Sequence, residues 1–235
     1  MSETVQHSPA ELAPGVASPG DTRKMVTTLS LVSALSGLLI VGAFELTAPF
    51  IDANREAMIE EAVFTVVPGG TRKQVYGFAD DGLHPDPVDA RFGERFYAVY
   101  DDAGLLKGLA LETSGQGYQD IVRVLYGYDP ESQTVIGMTV IESKETPGLG
   151  DKIAKDPEFL ANFDALDVRV DPGTGIIMNP ITVVKHGTKG QPWEIDGISG
   201  ATIGSKAVGA MMDRGLRATL PRVRPYLDTL RKAPL

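Results

Sequence analysis

Residues 196–202 read Asp-Gly-Ile-Ser-Gly-Ala-Thr and open a predicted helix. The turn-forming pair Asp196-Gly197 ends the segment before it. Ser199 is a suitable N-cap residue, and the sequence predicts a helix from about residue 201 to residue 220, ended by Pro221. The apolar face predicted for this helix consists of Ile203, Ala207, Ala210, Met211 and Leu216.

The first turn of this helix carries residues suited to binding a bulky anion. Gly200 and Ala201 are small and leave the amide groups of the turn accessible, and a helix N-terminus binds anions well. Thr202 adds a hydroxyl group beside the anion, and Lys206 is a candidate counter-charge one turn later. Taken alone, so short a motif is more often a capped helix with small residues for close packing.

A second stretch, roughly 50 residues earlier, reads Glu-Thr-Pro-Gly-Leu-Gly over residues 145–150. Its proline fixes one backbone angle, and its glycines admit backbone conformations closed to other residues, so the loop can lie flat against a ligand. Glu145 and Thr146 offer an acceptor and a hydroxyl group at its start. A solvated loop leaving a β-strand is an equal alternative for the same residues, which include Gly148, Leu149 and Gly150.

Composition excludes several classes of function. The chain has 235 residues, a net charge of −9 and no basic stripe, which argues against binding to nucleic acid. It contains no cysteine, which excludes cysteine-ligated iron–sulfur clusters and disulfides within the chain. Its three histidines are scattered without metal-ligand spacing, so no metal site is predicted. No general acid–base pair stands out, and no catalytic residue is predicted.

Residues 25–44 carry no charge and are long enough for one membrane-spanning helix. A buried helix of a soluble protein and a cleaved signal peptide are the alternatives, and an uncleaved anchor fits the length and flanks better. Arg23 and Lys24 precede the span, whereas Glu45 and Asp52 come first after it. The positive-inside rule then predicts a cytoplasmic N-terminus and an exported main domain.

The predicted fold class is α+β, with one transmembrane helix before a single domain. We expect a disordered cytoplasmic tail over residues 1–24, the span over 25–44, a linking helix over 45–70 that bends at Pro49, and an extracytoplasmic domain over 71–235.

Within that domain we expect a largely antiparallel sheet with flanking helices. Residues 77–95 are rich in Gly, Asp and Pro and predict a surface loop. Residues 151–163 have helical character, residues 222–235 predict a short basic helix, and a tight crossing is expected at residues 114–118. Strands are predicted at residues 96–100, 105–112, 121–128, 134–143, 167–170, 176–178 and 181–184.

The order and spacing of the two motifs, with the anchor and the Gly117-Tyr118 crossing, resemble the G subunit of the Rnf electron-transport complex. The C subunit of the sodium-pumping NADH:quinone reductase is a relative, and the run that ends in Asp151-Lys152-Ile153 is more similar to the Rnf type. The resemblance spans roughly residues 25–220. It implies an FMN-binding domain whose FMN is attached covalently, by a phosphoester bond, to Thr202.

The resemblance also assigns the neighbouring motif positions. Asp196, Ser199, Gly200 and Ala201 match the residues before the acceptor threonine. The loop that helps to hold the flavin matches Glu145, Thr146, Gly148, Leu149 and Gly150.

By the same resemblance, the chain is expected to be a flavoprotein subunit of an ion-translocating oxidoreductase in the bacterial inner membrane, with its main domain on the periplasmic side. Its expected partners are the other membrane subunits, the lipid bilayer and a separate flavin transferase that attaches the FMN. Three alternatives stay open: the C subunit of a quinone reductase, a redox-sensing or accessory FMN module of another membrane reductase, and an anchored scaffold without flavin.

Overall fold

The structure is a computed structural model, and it describes residues 19–79, 82–85 and 95–233. Most of the predicted disordered tail, residues 1–18, lies outside the described residues. The chain divides into two compact units between Asn54 and Arg55.

The first helix, α1 (Pro19–Val66), contains the predicted span. Within it, Thr22–Ile51 is long and apolar enough to cross a membrane, and its large apolar side chains are exposed. Two threonine hydroxyls of this segment bond back to the helix: Thr27 Oγ1 donates to the Arg23 carbonyl at 2.8 Å, and Thr47 Oγ1 donates to the Ala43 carbonyl at 2.9 Å, so neither needs a partner in lipid.

The extent of α1 differs from the prediction at both ends of the span. Residues 19–24 are helical, although they were predicted to be disordered, and residues 45–66 continue the same helix where a separate linking helix was predicted. Pro49 lies inside α1 and does not end it. An interior proline disrupts one turn of a helix, and membrane-spanning helices tolerate it because local adjustment satisfies the freed backbone carbonyl.

A seven-stranded sheet forms the centre of the second unit, and its neighbouring strands are all antiparallel, as predicted. The strands are β1 (Arg72–Ala79), β2 (Gly82–Pro85), β3 (Arg95–Tyr100), β4 (Leu106–Gln116), β5 (Ile121–Asp129), β6 (Thr134–Glu142) and β7 (Leu166–Asp167). Their order in the sheet is β2-β1-β3-β4-β5-β6-β7.

The predicted surface loop over residues 77–95 is wrong in part. Strand β1 continues to Ala79, and β2 pairs with it, although the composition of this region is typical of loops. Residues 80–81 and 86–94 lie outside the described part of the chain. Pairing with β1 here outweighs weak local strand propensity, which is strongly context-dependent.

Short elements and one long helix follow β6. They are α2 (Lys152–Lys155), α3 (Pro157–Leu160), a 3-10 turn (Ala161–Phe163), β8 (Thr182–Val184) and β9 (Glu194–Asp196), followed by α4 (Thr202–Val223), a second 3-10 turn (Arg224–Tyr226) and α5 (Leu227–Leu230). Strands β8 and β9 pair in parallel. Of the strand predicted at residues 176–178, a single bridge between Val170 and Ile177 is present.

Hydrophobic side chains cover both faces of the sheet. One face packs against α4, with Phe96, Leu109, Val124 and Met211 among its buried side chains. The other face packs against the end of α1, from Ile59 onward. The described domain is therefore a sheet between helices, which confirms the predicted α+β class.

Helix α4 differs from its prediction in its end and in its buried face. Pro221 lies inside the helix, and Ile203 and Ala210 are exposed although both were predicted to be buried. The buried positions include Gly204, Ser205 and Gly209, which hydrophobic periodicity does not detect. A side chain at Gly209 would overlap Val183, so this glycine lets α4 approach β8 closely, whereas Gly204 faces Ile153 of α2.

Candidate functional site

The motif at residues 196–202 begins at the end of β9, where buried Asn162 holds its first residue. Asp196 donates its backbone N–H to Asn162 Oδ1 at 2.9 Å, and its carbonyl accepts from Asn162 Nδ2 at 3.3 Å. The Asp196 carboxylate accepts the Gly187 amide through both oxygens, at 2.8 and 3.0 Å. Asp196 therefore stabilises the fold on the approach to the helix.

Ser205 fixes the turn that leads into α4. Its side chain is fully buried, and its Oγ accepts the Ile198 amide at 3.0 Å and donates to the Ala201 carbonyl at 3.0 Å. The N-cap residue is Ala201, without a side-chain cap among the described residues, so the predicted capping role of Ser199 is wrong. Ser199 is exposed. Ser205, which lies inside the helix four residues after the cap, forms the hydrogen bonds that hold this turn instead.

Thr202 is the first residue of α4, and it is exposed. Gly200 has φ +82°, a conformation that favours glycine, and the turn brings the chain into the helix there. The first amides of any helix lack carbonyl partners within the helix. The Thr202 hydroxyl therefore lies beside a set of N–H groups that can donate to an anion.

The loop at residues 145–150 is a tight turn. The Thr146 carbonyl accepts the amides of Leu149 at 3.2 Å and Gly150 at 3.0 Å. Gly148 has φ +81° and donates its N–H to Asp151 Oδ1 at 2.7 Å. The hydrogen bond from Lys155 and the one from Gly148 lower the pKa of Asp151, so its carboxylate stays charged and holds the loop.

Glu145 and Thr146 contact a neighbouring turn. Glu145 is 7% exposed, and its Oε1 accepts the amides of Gln119 at 3.1 Å and Asp120 at 3.5 Å. Thr146 Oγ1 donates to Gln119 Oε1 at 2.7 Å. A side chain at Gly117 would overlap Glu145 Oε1, and one at Gly150 would lie 2.5 Å from Oε2. Glu145 and Thr146 thus join the 145–150 loop to the turn at 117–120.

The two motifs meet at a cavity of about 350 Å³, a size within the usual range of ligand pockets. It brings together Thr202, Gly200 and Ala201 from one motif with Leu149 and Gly150 from the other. Its remaining walls are Tyr118, Ile203 and Gly204.

The side chains that rim this cavity suit a planar aromatic ligand with a phosphate group. Tyr118 is 62% exposed, Leu149 58% and Ile203 56%, and they present apolar surface beside the first-turn amides of α4. The residues present therefore fit a flavin phosphate, with the ring among apolar side chains and the phosphate at the helix. No ligand contact of Tyr118 or Ile203 was predicted from the sequence.

The other predicted site residues do not line this cavity. Glu145, Thr146 and Gly148 support its loop, while Ser199 lies in the wall of a second cavity of about 150 Å³ that also includes Lys152, His186 and Asp196. Lys206 is exposed on α4 and is not among the described walls of either cavity.

Comparison with known proteins agrees with this geometry. Residues 117–217, which contain both motifs, match the family model described as an FMN-binding domain. The G subunit of an ion-translocating oxidoreductase complex from Haemophilus influenzae is 32% identical over 186 residues, which cover 77% of this chain and 81% of the relative. The protein of the same name from Methanosarcina acetivorans is 29% identical over 188 residues, covering 79% and 87%.

Proteins of a second complex are also similar. The C subunit of a Na⁺-translocating NADH-quinone reductase from Pasteurella multocida is 30% identical over 131 residues, covering 55% of this chain and 48% of the relative. The crystal structure of Shewanella oneidensis NqrC superposes with a TM-score of 0.57 at 16% identity and covers 76% of this chain and 98% of that one. The C subunit from Parabacteroides distasonis gives 0.53 at 18% identity, covering 77% and 96%. These two structures share the fold of the domain.

Proposed function

Because this chain belongs to the family of the G subunits of ion-translocating oxidoreductase complexes, we propose that it carries electrons through an FMN esterified to Thr202. The chain is a membrane-anchored flavoprotein subunit of an electron-transport complex that also contains other membrane subunits. The covalent bond, its position and the orientation in the membrane are our proposal.

The position of Thr202 supports the ester more than any other observation. Its exposed side chain stands at the first residue of α4 and in the wall of the cavity that joins both motifs. A phosphate bonded there meets free amides and the positive end of the helix dipole. Attachment through the phosphate leaves the flavin ring unbonded to protein, so Tyr118 and Leu149 can contact its faces.

The cavity walls suit an electron carrier. The bound flavin supplies reversible electron transfer, and the protein positions the ring and tunes its potential. Tyr118, Leu149 and Ile203 would shield part of a bound ring from water, and their exposure leaves the cavity open to a redox partner. A carrier needs access to partners and no substrate-activating acid–base pair.

A separate flavin transferase attaches the FMN in this proposal. The walls that the structure describes around Thr202 include no histidine or carboxylate that could act as a general base for its hydroxyl. The charges of Arg23 and Lys24 at the start of the span favour a cytoplasmic N-terminus, which puts the transferase reaction and the FMN domain on the periplasmic side of a bacterial inner membrane.

Thr202→Ala tests the ester directly. We expect the denatured variant to lack flavin, while its circular dichroism and urea midpoint match those of flavin-free wild type, because Thr202 is exposed. Thr202→Ser is the matched control, since it keeps a hydroxyl group at the same position. Wild-type peptide containing Thr202 should carry the added mass of one FMN. Flavin that stays bound to denatured Thr202→Ala would show that the acceptor is another residue.

The second candidate is the C subunit of a sodium-translocating NADH:quinone reductase. The structures of that class share the fold, whereas the relatives named as G subunits match much more of the chain. Mass spectrometry of the proteins that copurify with the tagged chain from native membranes separates the two, because the companion subunits belong to different complexes.

A further inference from the structure

We propose that Lys152, and not Lys206, supplies the positive charge that faces the FMN phosphate at the start of α4. In this role Lys152 determines the preference of the site for FMN over riboflavin, which has the same ring and no phosphate. The inference rests on the proposed function, since it concerns the phosphate group bonded to Thr202, although Lys152 itself lies in the wall of the second cavity. It replaces Lys206 of α4, the candidate predicted from the sequence, with Lys152 of α2.

Two adjacent residues of α2 lie close to the start of α4. Ile153 is fully buried, and its Cγ2 lies 3.1 Å from the position that a Cβ would take on Gly204. Lys152 Nζ lies 3.9 Å from the corresponding Cβ position on Gly200. The packing of Ile153 thus places the Lys152 ammonium group over the left-handed turn that precedes Thr202.

Lys152 also differs from the basic residues around it, because each of those bonds to or lies beside a polar side chain. Lys155 bonds to Asp151 at 2.7 Å, Lys189 donates to Asn162 Oδ1 at 3.0 Å, and His186 lies 3.4 Å from Asp196. Within the described residues, Lys152 has no carboxylate at ion-pair distance.

Two of the carboxylates that line the second cavity together with Lys152 already have other partners. Asp156 Oδ1 accepts the amides of Glu158 at 3.0 Å and Phe159 at 3.2 Å, as the N-cap of α3. Asp196, in the same cavity wall as Lys152, accepts the Gly187 amide. A phosphate at Thr202 would therefore find in Lys152 an ammonium group that the fold keeps beside the site and leaves available.

The site of Lys206 is less favourable. Lys206 is exposed to solvent on α4, where water screens its charge, whereas Lys152 on α2 is partly buried. A partly buried ammonium group interacts more strongly with a phosphate than an exposed one does.

Binding of free flavins to the full chain in detergent tests this role. The background is Thr202→Val, which cannot form the ester. Flavin fluorescence gives the dissociation constants for FMN and riboflavin in this chain and with Lys152→Gln, Lys206→Gln or Lys107→Gln added. Lys107 is exposed on β4, outside the walls of either cavity, and its substitution controls for the change in net charge.

We expect Lys152→Gln to weaken FMN binding about tenfold or more, as the loss of a charged hydrogen bond does, with riboflavin binding unchanged. Lys107→Gln should leave both constants unchanged, and added salt should reduce the effect of Lys152→Gln. Riboflavin binding also reports that the cavity of each variant is folded.

Several results would overturn the assignment. They are an unchanged FMN constant in Lys152→Gln, an equal loss of FMN and riboflavin binding, a selective loss in Lys206→Gln alone, or no preference for FMN in the Thr202→Val chain. The ester proposal fails on a different observation, namely flavin that stays on denatured Thr202→Ala. The ratio of the dissociation constants for FMN and riboflavin still tests the role of Lys152 in that case.

Discussion

Buried polar side chains, away from the ligand cavity, hold the motif backbone in place. Asn162 bonds both backbone groups of Asp196, and Ser205 bonds the Ile198 amide and the Ala201 carbonyl. Glu145 bonds the amides of the 117–120 turn. A buried polar group that loses its partner costs the full desolvation of that group, so each of these bonds constrains the site strongly.

Ser205→Ala is predicted to destabilise the domain by about 1–3 kcal/mol, because it leaves the buried Ile198 amide without its acceptor. The difference in free energy of unfolding from urea denaturation measures the effect. Ser199→Ala is the matched control, since Ser199 is exposed, and a change within about 0.5 kcal/mol is expected there. Equal costs for the two variants would contradict the contacts of Ser205.

The carboxylate of Asp151 makes the stability of the 145–150 loop sensitive to acid. Its pKa lies below the ordinary value of 3.8 in the folded protein, because Lys155 and the Gly148 amide bond the charged carboxylate. A lowered folded pKa adds stability above the unfolded value, and that stability is lost as the pH falls through the folded pKa. We therefore predict that wild type is more stable than Asp151→Asn at about pH 6 and that this advantage shrinks as the pH falls to about 3, because aspartate carboxylates become protonated over roughly this range.

Urea midpoints of both proteins at several pH values measure this difference. Glu131→Gln on an exposed turn is the control, with a small and nearly constant difference expected. A wild-type advantage over Asp151→Asn that grows as the pH falls would have the wrong sign.

Among the structural elements, the site depends on two turns that are joined side by side. The turn after β4 closes through the Gly117 amide and the Asp120 carbonyl at 2.9 Å, and Glu145 and Thr146 tie the second loop to it. Tyr118 and Leu149, one from each turn, then reach the same cavity. The relative position of the two turns thus decides the distance between the two apolar walls.

Gly117→Ala should separate these turns. The added Cβ would overlap Glu145 Oε1 and lie 2.8 Å from Val122 Cγ2, so either the carboxylate or the turn must move. We predict a loss of about 1–3 kcal/mol in stability, the usual cost of overpacking, and a lower flavin content per protein.

Absorbance of the flavin relative to protein, together with urea denaturation, tests this prediction. Gly190→Ala is the control, because the nearest described atom, Glu194 Oε2, lies 3.9 Å from its added Cβ. Flavin content that stays at the wild-type level in Gly117→Ala, despite the overlap, would rule out coupling between the two turns.

At the scale of the whole molecule, an apolar helical segment and a folded FMN-binding domain share one chain. The segment Thr22–Ile51 exposes its apolar side chains, as a helix in lipid does, and the domain encloses its own core on both faces of the sheet. This division agrees with an anchored carrier whose cofactor domain works at the membrane surface.

The proposed orientation of the anchor leads to a prediction for the intact cell. Alkaline phosphatase fused after residue 235 should be active, because it folds only when exported, and green fluorescent protein at the same place should stay dark. Replacing Arg23 and Lys24 by Glu, with Glu45 and Asp52 replaced by Lys, should weaken or invert this pattern. A fluorescent fusion to the unchanged chain would place the domain in the cytoplasm instead.

The sequence alone determined the anchor, the antiparallel sheet and the two motifs. Each depends on residues close together in the chain: a long uncharged run, alternating strands between turns, and glycines beside a threonine. Such local patterns constrain the backbone directly, so they can be recognised without knowing which distant segments pack against them. The resemblance then connected the two motifs to one cofactor.

Only the tertiary structure decided which side chains surround the site. Ser205 in place of Ser199, Tyr118 in the cavity wall and Lys152 beside Gly200 all depend on contacts between segments distant in the chain. The same is true of β2 and of the glycines on the buried face of α4, where packing overrides propensity and periodicity. Hydrogen bonds and close approaches form only when the folded chain brings these segments together, and no local pattern contains that information.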